Sequence, residues 1–221
     1  GLVLLAAFLR WEGRAPQPML PLRFFKSRAF SATNVVSFAM FFGVFGAIFF
    51  LAQFFQTVQG YSALESGLRT LPWTAMPIVV APIAGILSDR IGARPLMATG
   101  LALQAIAITW FASVLSVDVA YAELVPAFVA AGTGMALVFA PAANAVLAAV
   151  RPKEAGQASG ATNTIRELGG VMGVAVMATV FSSAGGYGSP QAFVDGVTAA
   201  LPIASAVLAL STQGWLLAHG V

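Results

Sequence analysis

The sequence predicts an all-α membrane protein, a bundle of six transmembrane helices preceded by a partial helix. Three observations predict it. The 221 residues are 59% hydrophobic and only 9% charged, against about 25% charged in an ordinary soluble domain. That is too little charge to coat a surface facing water. The charges are also clustered. They leave neutral stretches at 29–64, 70–88, 95–117, 124–150 and 168–194, and a last one, 196–221, that carries only His219. About 20 apolar residues cross the hydrocarbon core as a helix. Finally, no stretch alternates apolar with polar residues as a barrel strand does, and a helix satisfies its own backbone in lipid.

Each element follows from these stretches. Residues 1–9 are apolar but only half a span. Arg10 follows them, whereas a signal peptide places its basic region before the apolar run. They read as the end of a truncated transmembrane helix, and the chain as part of a longer protein. Residues 10–29 hold the longest polar stretch, stiffened by Pro16, Pro18 and Pro21, and read as a cytoplasmic linker. Residues 30–221 form the six-helix bundle. Its helices are expected near 30–55, 67–87, 95–115, 124–150, 157–182 and 195–217. The first is rich in Phe. The second holds Pro72, Pro77 and Pro82, and Pro141 interrupts the fourth; each removes a backbone donor and can bend its helix. Pro95 is tolerated because it opens the third. In the fifth, Gly156 with Gly160 and Gly169 with Gly173 repeat at a spacing that suits close helix contacts.

Charge placement sets the expected orientation. One set of alternate loops holds Arg10, Arg14, Arg23, Lys26, Arg28, Arg90, Arg94, Arg151 and Lys153, and the opposite set holds Arg69 alone. Basic loops stay in the cytoplasm, which also puts the C-terminus there. The net charge of +3 is therefore topological and implies no nucleic-acid partner. The chain has no Cys and one His. That excludes disulfides, thiolate or His-based metal sites and a cysteine nucleophile. No metal or cofactor is implied. No nucleophile triad or phosphate loop is present either, so the chain does not read as an enzyme.

The sharpest local signal runs from Gly85 to Pro95, as Gly85-Ile86-Leu87-Ser88-Asp89-Arg90-Ile91-Gly92-Ala93-Arg94-Pro95. Gly92 supplies the freedom a tight turn needs, and Asp89 and Arg90 lie at a helix end where charge reaches water or a partner. This pattern resembles the cytoplasmic signature of the major facilitator superfamily. Other segments narrow the resemblance. Phe50-Leu51-Ala52-Gln53-Phe54-Phe55-Gln56 with Gly60-Tyr61-Ser62-Ala63-Leu64-Glu65 looks like the seventh helix region of drug–proton antiporters. Ala155-Gly156-Gln157-Ala158-Ser159-Gly160 with Asn163-Thr164-Ile165-Arg166-Glu167-Leu168-Gly169-Gly170 looks like their eleventh. Trp11-Glu12-Gly13-Arg14-Ala15-Pro16 is similar to the linker after their two extra central helices. Together these resemble the C-terminal half of the fourteen-helix, EmrB/QacA-like branch.

That resemblance implies secondary active export of small amphipathic or cationic compounds, coupled to proton influx by alternating access, in the bacterial plasma (inner) membrane. It implies as partners the lipid bilayer, a small-molecule substrate, protons and the N-terminal half of the same transporter. It assigns a latch on the cytoplasmic side to Asp89, Arg90 and Arg94, with Gly85 and Gly92 as packing and turn residues. Ala93 stands where the family pattern often has a basic residue. A metabolite transporter of the same superfamily, for a sugar or amino acid, and a non-transporting membrane fragment are the alternatives.

Two groups of residues are candidates for the transport path. Arg166 and Glu167 are the charges well inside an expected helix, where charge usually faces a cavity or a partner. They read either as a cavity-lining or gating pair, with Glu167 able to take a proton, or as a pair near a later helix start with Arg166 reaching to the surface. Asn34, Phe38, Phe41, Phe45, Phe49, Gln53 and Gln56 recur every three or four residues on one face of the first helix. In a vestibule the rings would meet cationic, greasy compounds; alternatively they face lipid or pack on neighbours. Gln53 and Gln56 are expected to face protein or water, because lipid exposure of an amide is unfavourable.

Overall fold

The computed structural model describes residues 18–217 and, ahead of them, residues 3, 7, 10–12 and 14. The partial helix expected over 1–9 lies, but for Val3 and Ala7, outside the described residues, as does His219. Six long helices follow: α1 Arg28–Gln53, α2 Ala63–Ile91, α3 Ala93–Val114, α4 Tyr121–Ala148, α5 Ala155–Ala184 and α6 Pro190–Leu217. Each is long and apolar enough to cross a bilayer. The described residues contain no strand.

Local chemistry sets the helix ends. Ser27 caps α1, its Oγ accepting from the Phe30 N–H at 3.4 Å. α1 closes with a π-helical turn, Phe54–Val58, so the last face of the helix is rotated from the one a 3.6-residue period projects. α2 begins at Ala63, four residues earlier than the sequence suggests, because Ser62 and Glu65 form a capping box. The Ser62 side chain accepts from the Glu65 N–H at 3.3 Å, and the Glu65 carboxylate accepts from the Ser62 N–H at 2.9 Å. α2 runs on through Asp89 and Arg90 to Ile91, since a charged residue that reaches water need not end a helix. Gly92 alone connects α2 to α3. Its φ of +85° lies where only glycine is unstrained. α6 begins at Pro190, five residues early. Proline suits a first helical position, and Ser189 Oγ accepts from the Ala192 N–H at 3.1 Å.

The helices pack in two layers. α1 and α4 touch in the middle of the first layer, with α5 flanking α1 and α2 flanking α4; α3 and α6 lie behind them, packed on each other and on α4 and α1. With no hydrophobic drive between helices in lipid, close backbone approach and shape hold such a bundle together. Gly100 of α3 faces Gly134 of α4, and a methyl on either would sit 2.6 Å from the other's carbonyl oxygen. Gly169 and Gly173 of α5 lie against the Phe38 and Phe42 backbone of α1. Buried rings fill the wider gaps: Trp73 stacks on Phe111 at 6.0 Å, Phe111 meets Phe128 at 4.8 Å, and Phe128 meets Phe55 at 6.1 Å.

The segment expected to be a linker is docked where it is described. Residues Leu22–Lys26 form a 3₁₀ helix. Phe24 joins Phe30, Val146, Ala158 and Ala161 in a second apolar cluster. Arg23 and Arg151 both pair with the Glu154 carboxylate, and Gln157 Nε2 donates to the Pro18 carbonyl at 2.9 Å. Arg28 and Ala29, placed in the linker by the sequence, belong to α1.

Candidate transport face

The first layer has an open side, opposite α3 and α6. Phe45 and Phe49 of α1 are 41% and 43% exposed, and Phe139 of α4 is 39% exposed. Phe41 stacks on Phe45 at 5.3 Å and on Phe139 at 6.5 Å, bridging α1 and α4. The face predicted along α1 therefore divides. Phe45 and Phe49 are open and Phe38 is half-buried, whereas Phe41 and Asn34 are buried. Asn34 Nδ2 donates to its own helix at Phe30 O, 2.9 Å away. The division follows from α5, which lies against this part of α1 through Gly169 and Gly173. Gln53 and Gln56 follow at the far end, Gln56 exposed. Tyr187, between α5 and α6, donates from its hydroxyl to Gln53 Oε1 at 2.7 Å.

Arg166 lies behind the rings. It is 6% exposed, and its guanidinium carbon sits 4.5 Å from the Phe139 ring centroid and 5.7 Å from that of Phe41. Nε and Nη2 are buried without a hydrogen-bond partner among the described residues. The ion pairs among those residues are Arg23–Glu154 and Arg151–Glu154, so no described carboxylate faces Arg166. An unsatisfied buried donor costs about 1–3 kcal/mol, and a desolvated cation over a ring recovers roughly 2 kcal/mol. The site is left electrostatically incomplete. Arg166 lies eleven residues into α5, which begins at Ala155, so the later helix start weighed from the sequence does not occur. Glu167 is exposed. One residue on, it points about 100° away, and the two form no ion pair.

The signature region sits at the basic end of α2. Asp89, Arg90, Gly92 and Arg94 are all exposed and make no ion pair among the described residues. A methyl on Gly85 would meet nothing within 4 Å. Along its length α2 leaves an apolar surface uncovered, including Leu68, Ile78, Val79, Ile83 and Ile86, and α5 leaves Leu168, Val171 and Met172 uncovered. The residues that could hold a ligand are thus grouped at the middle of the open side, and the signature at one of its flanks.

Four residues that shape this bundle were not foreseen. Phe139 gave no sequence signal, because α4 is apolar all round. Tyr61 and Tyr121 clasp Arg69 at the end opposite the signature, with the guanidinium 3.8 and 5.0 Å from their rings, and the Tyr121 hydroxyl donates to Arg69 O at 2.9 Å. Glu154, shared between two arginines, read only as a loop charge.

Comparison with known proteins places this geometry. Residues 3–174 match the model of the Major Facilitator Superfamily. The chain is 38% identical over 194 residues to the cephamycin export protein CmcT of Amycolatopsis lactamdurans, covering 86% of this chain and 39% of that protein. It is 34% identical over 178 residues to the tetracenomycin C resistance and export protein of Streptomyces glaucescens, covering 80% of this chain and 33% of the relative. With the multidrug efflux pump LfrA of Mycolicibacterium smegmatis the figures are 31% over 186 residues, 83% and 36%. The chain spans about a third of the length of the curated relatives it matches. Six membrane-length helices in two layers, an open aromatic side and a family match over most of the residues lead to one conclusion: this integral membrane protein belongs to the Major Facilitator Superfamily.

Proposed function

We propose that the chain is the C-terminal half of a fourteen-helix, EmrB/QacA-like exporter that moves small amphipathic compounds out of a bacterial cell by alternating access, driven by proton influx. The open side of the first layer carries this reading. α2 and α5 flank it with uncovered apolar faces, and Phe45, Phe49 and Phe139 lie exposed between them. A second six-helix half laid across α2 and α5 would close that side into a central cavity, the arrangement in which two bundles rock about a midplane site. The exposed Asp89, Arg90 and Arg94 then meet the partner half and latch the cytoplasmic side. Glu167 is the acid available within the span to carry a proton. The names of the relatives support export as the direction. Of the two substrate types suggested by the sequence, amphipathic and cationic, the geometry favours the first, because Arg166 already occupies the ring faces that would attract a cation.

The test is substrate-induced proton release from inverted vesicles holding the intact transporter. Export that is indifferent to the pH gradient would refute proton coupling. D89N should lower turnover several-fold with unchanged protein level and thermal stability, since Asp89 is exposed and makes no ion pair among the described residues. Unaltered efflux in D89N would refute the latch.

A further inference from the structure

Arg166 needs a counter-charge that the described part of this chain does not supply. We infer that Arg166, beside Phe41 and Phe139, is an oxyanion-binding site, and that the compound recognised there carries a carboxylate on a flat apolar frame. This deepens the exporter reading and rests on it for the fate of the ligand, not for its binding.

Geometry and charge point the same way. The guanidinium is held beside the two rings while Nε and Nη2 stay without partners among the described residues. Those two nitrogens form the edge of the fork that binds a carboxylate through two parallel hydrogen bonds. Hydroxyls one turn away on each helix, Ser37 before Phe41 and Thr162 before Arg166, are also buried without partners among the described residues and are free to donate. A cationic ligand would meet an unpaired positive charge in surroundings that screen it poorly. A planar frame, by contrast, finds two exposed rings, Phe45 and Phe139, on either side of Phe41, where offset stacking is favourable. Glu167 does not fill the role, since it is exposed and unpaired with its neighbour.

The purified 221-residue chain in detergent micelles is titrated by equilibrium dialysis with three probes of one frame: 2-naphthoate, its methyl ester, and the naphthylmethyl trimethylammonium cation. Naphthoate should bind at least about tenfold more tightly than the ester, and the cation most weakly. R166Q should bring naphthoate down to the level of the ester while leaving ester binding unchanged, which shows that the variant is folded. R166K should keep part of the preference. F139L should weaken naphthoate and ester equally and leave their ratio intact. Equal affinity for naphthoate and ester, or a preference that survives R166Q, overturns the site. The same titration on the intact transporter assigns the source of the anion. Selectivity retained there identifies a free compound. Selectivity confined to the shorter chain identifies an acidic side chain of the remaining polypeptide. Either result leaves an oxyanion at Arg166. Selective binding without proton-driven export would overturn the exporter reading alone.

Discussion

Two glycine pairs in α5 have the same spacing, and the fold gives them opposite surroundings. A methyl built on Gly169 would lie 2.5 Å from the Phe38 carbonyl oxygen and 3.1 Å from its carbonyl carbon. Both atoms are backbone, so they cannot turn aside. Restoring an ordinary contact near 3.4 Å requires α1 and α5 to separate by about 0.9 Å, along the surface where Arg166 is buried. Overpacking of this kind costs about 1–3 kcal/mol, at times more. Exchanging glycine for alanine within a helix returns about 1 kcal/mol. G169A should therefore come out roughly 0–2 kcal/mol less stable, which lowers Tm by up to about 8 °C in a protein of this size. At Gly160 a methyl meets nothing within 4 Å, so G160A keeps only the helix gain and should raise Tm by about 2–4 °C. The assay is thermal unfolding of the purified chain in one detergent, both variants side by side. Shifts of the same sign and size in the two variants would refute the packing assigned to α1 and α5.

Y121F removes the donor to Arg69 O but keeps the ring beside the guanidinium; it should cost about 1 kcal/mol, read as a small fall in Tm, while Y121A should cost more. S62A breaks the capping box that starts α2 and should destabilise by about 1 kcal/mol, with backbone amide exchange accelerated over 63–66 and unchanged over α4. E154Q removes the carboxylate shared by Arg23 and Arg151, so limited trypsin should cut at Arg23 and Lys26 faster than in the parent chain. An unchanged cleavage rate would mean that Phe24 alone docks this segment.

The sequence by itself determined the class, the number of helices and their approximate spans. Burying an unpaired charge in lipid is so unfavourable that the few charged residues mark the helix ends almost unaided. Where the reading fell short at those ends, at Ala63, Ile91 and Pro190, the cause was a cap or an exposed charge that lets a helix continue beyond its apolar stretch. The turn at Gly92 was legible, because a tight reversal between helices asks for glycine, here with φ of +85°; its one-residue length was not, since the sequence placed the connection over 88–94. Lateral placement was not legible. α1, and α5 from Leu168 on, are apolar on nearly every side, and such a stretch carries no amphipathic mark to show which side meets protein. Only the tertiary structure decided that Gly169 touches α1 while Gly160 touches nothing, and that Phe45 is open while Phe41 is covered. It alone brought Phe139 from a helix without a distinguishing pattern to within 4.5 Å of Arg166. The sequence left open whether Arg166 lies well inside its helix or near a later start; the packing of α1, α4 and α5 decided that it is buried beside aromatic rings, without an ion-pair partner among the described residues.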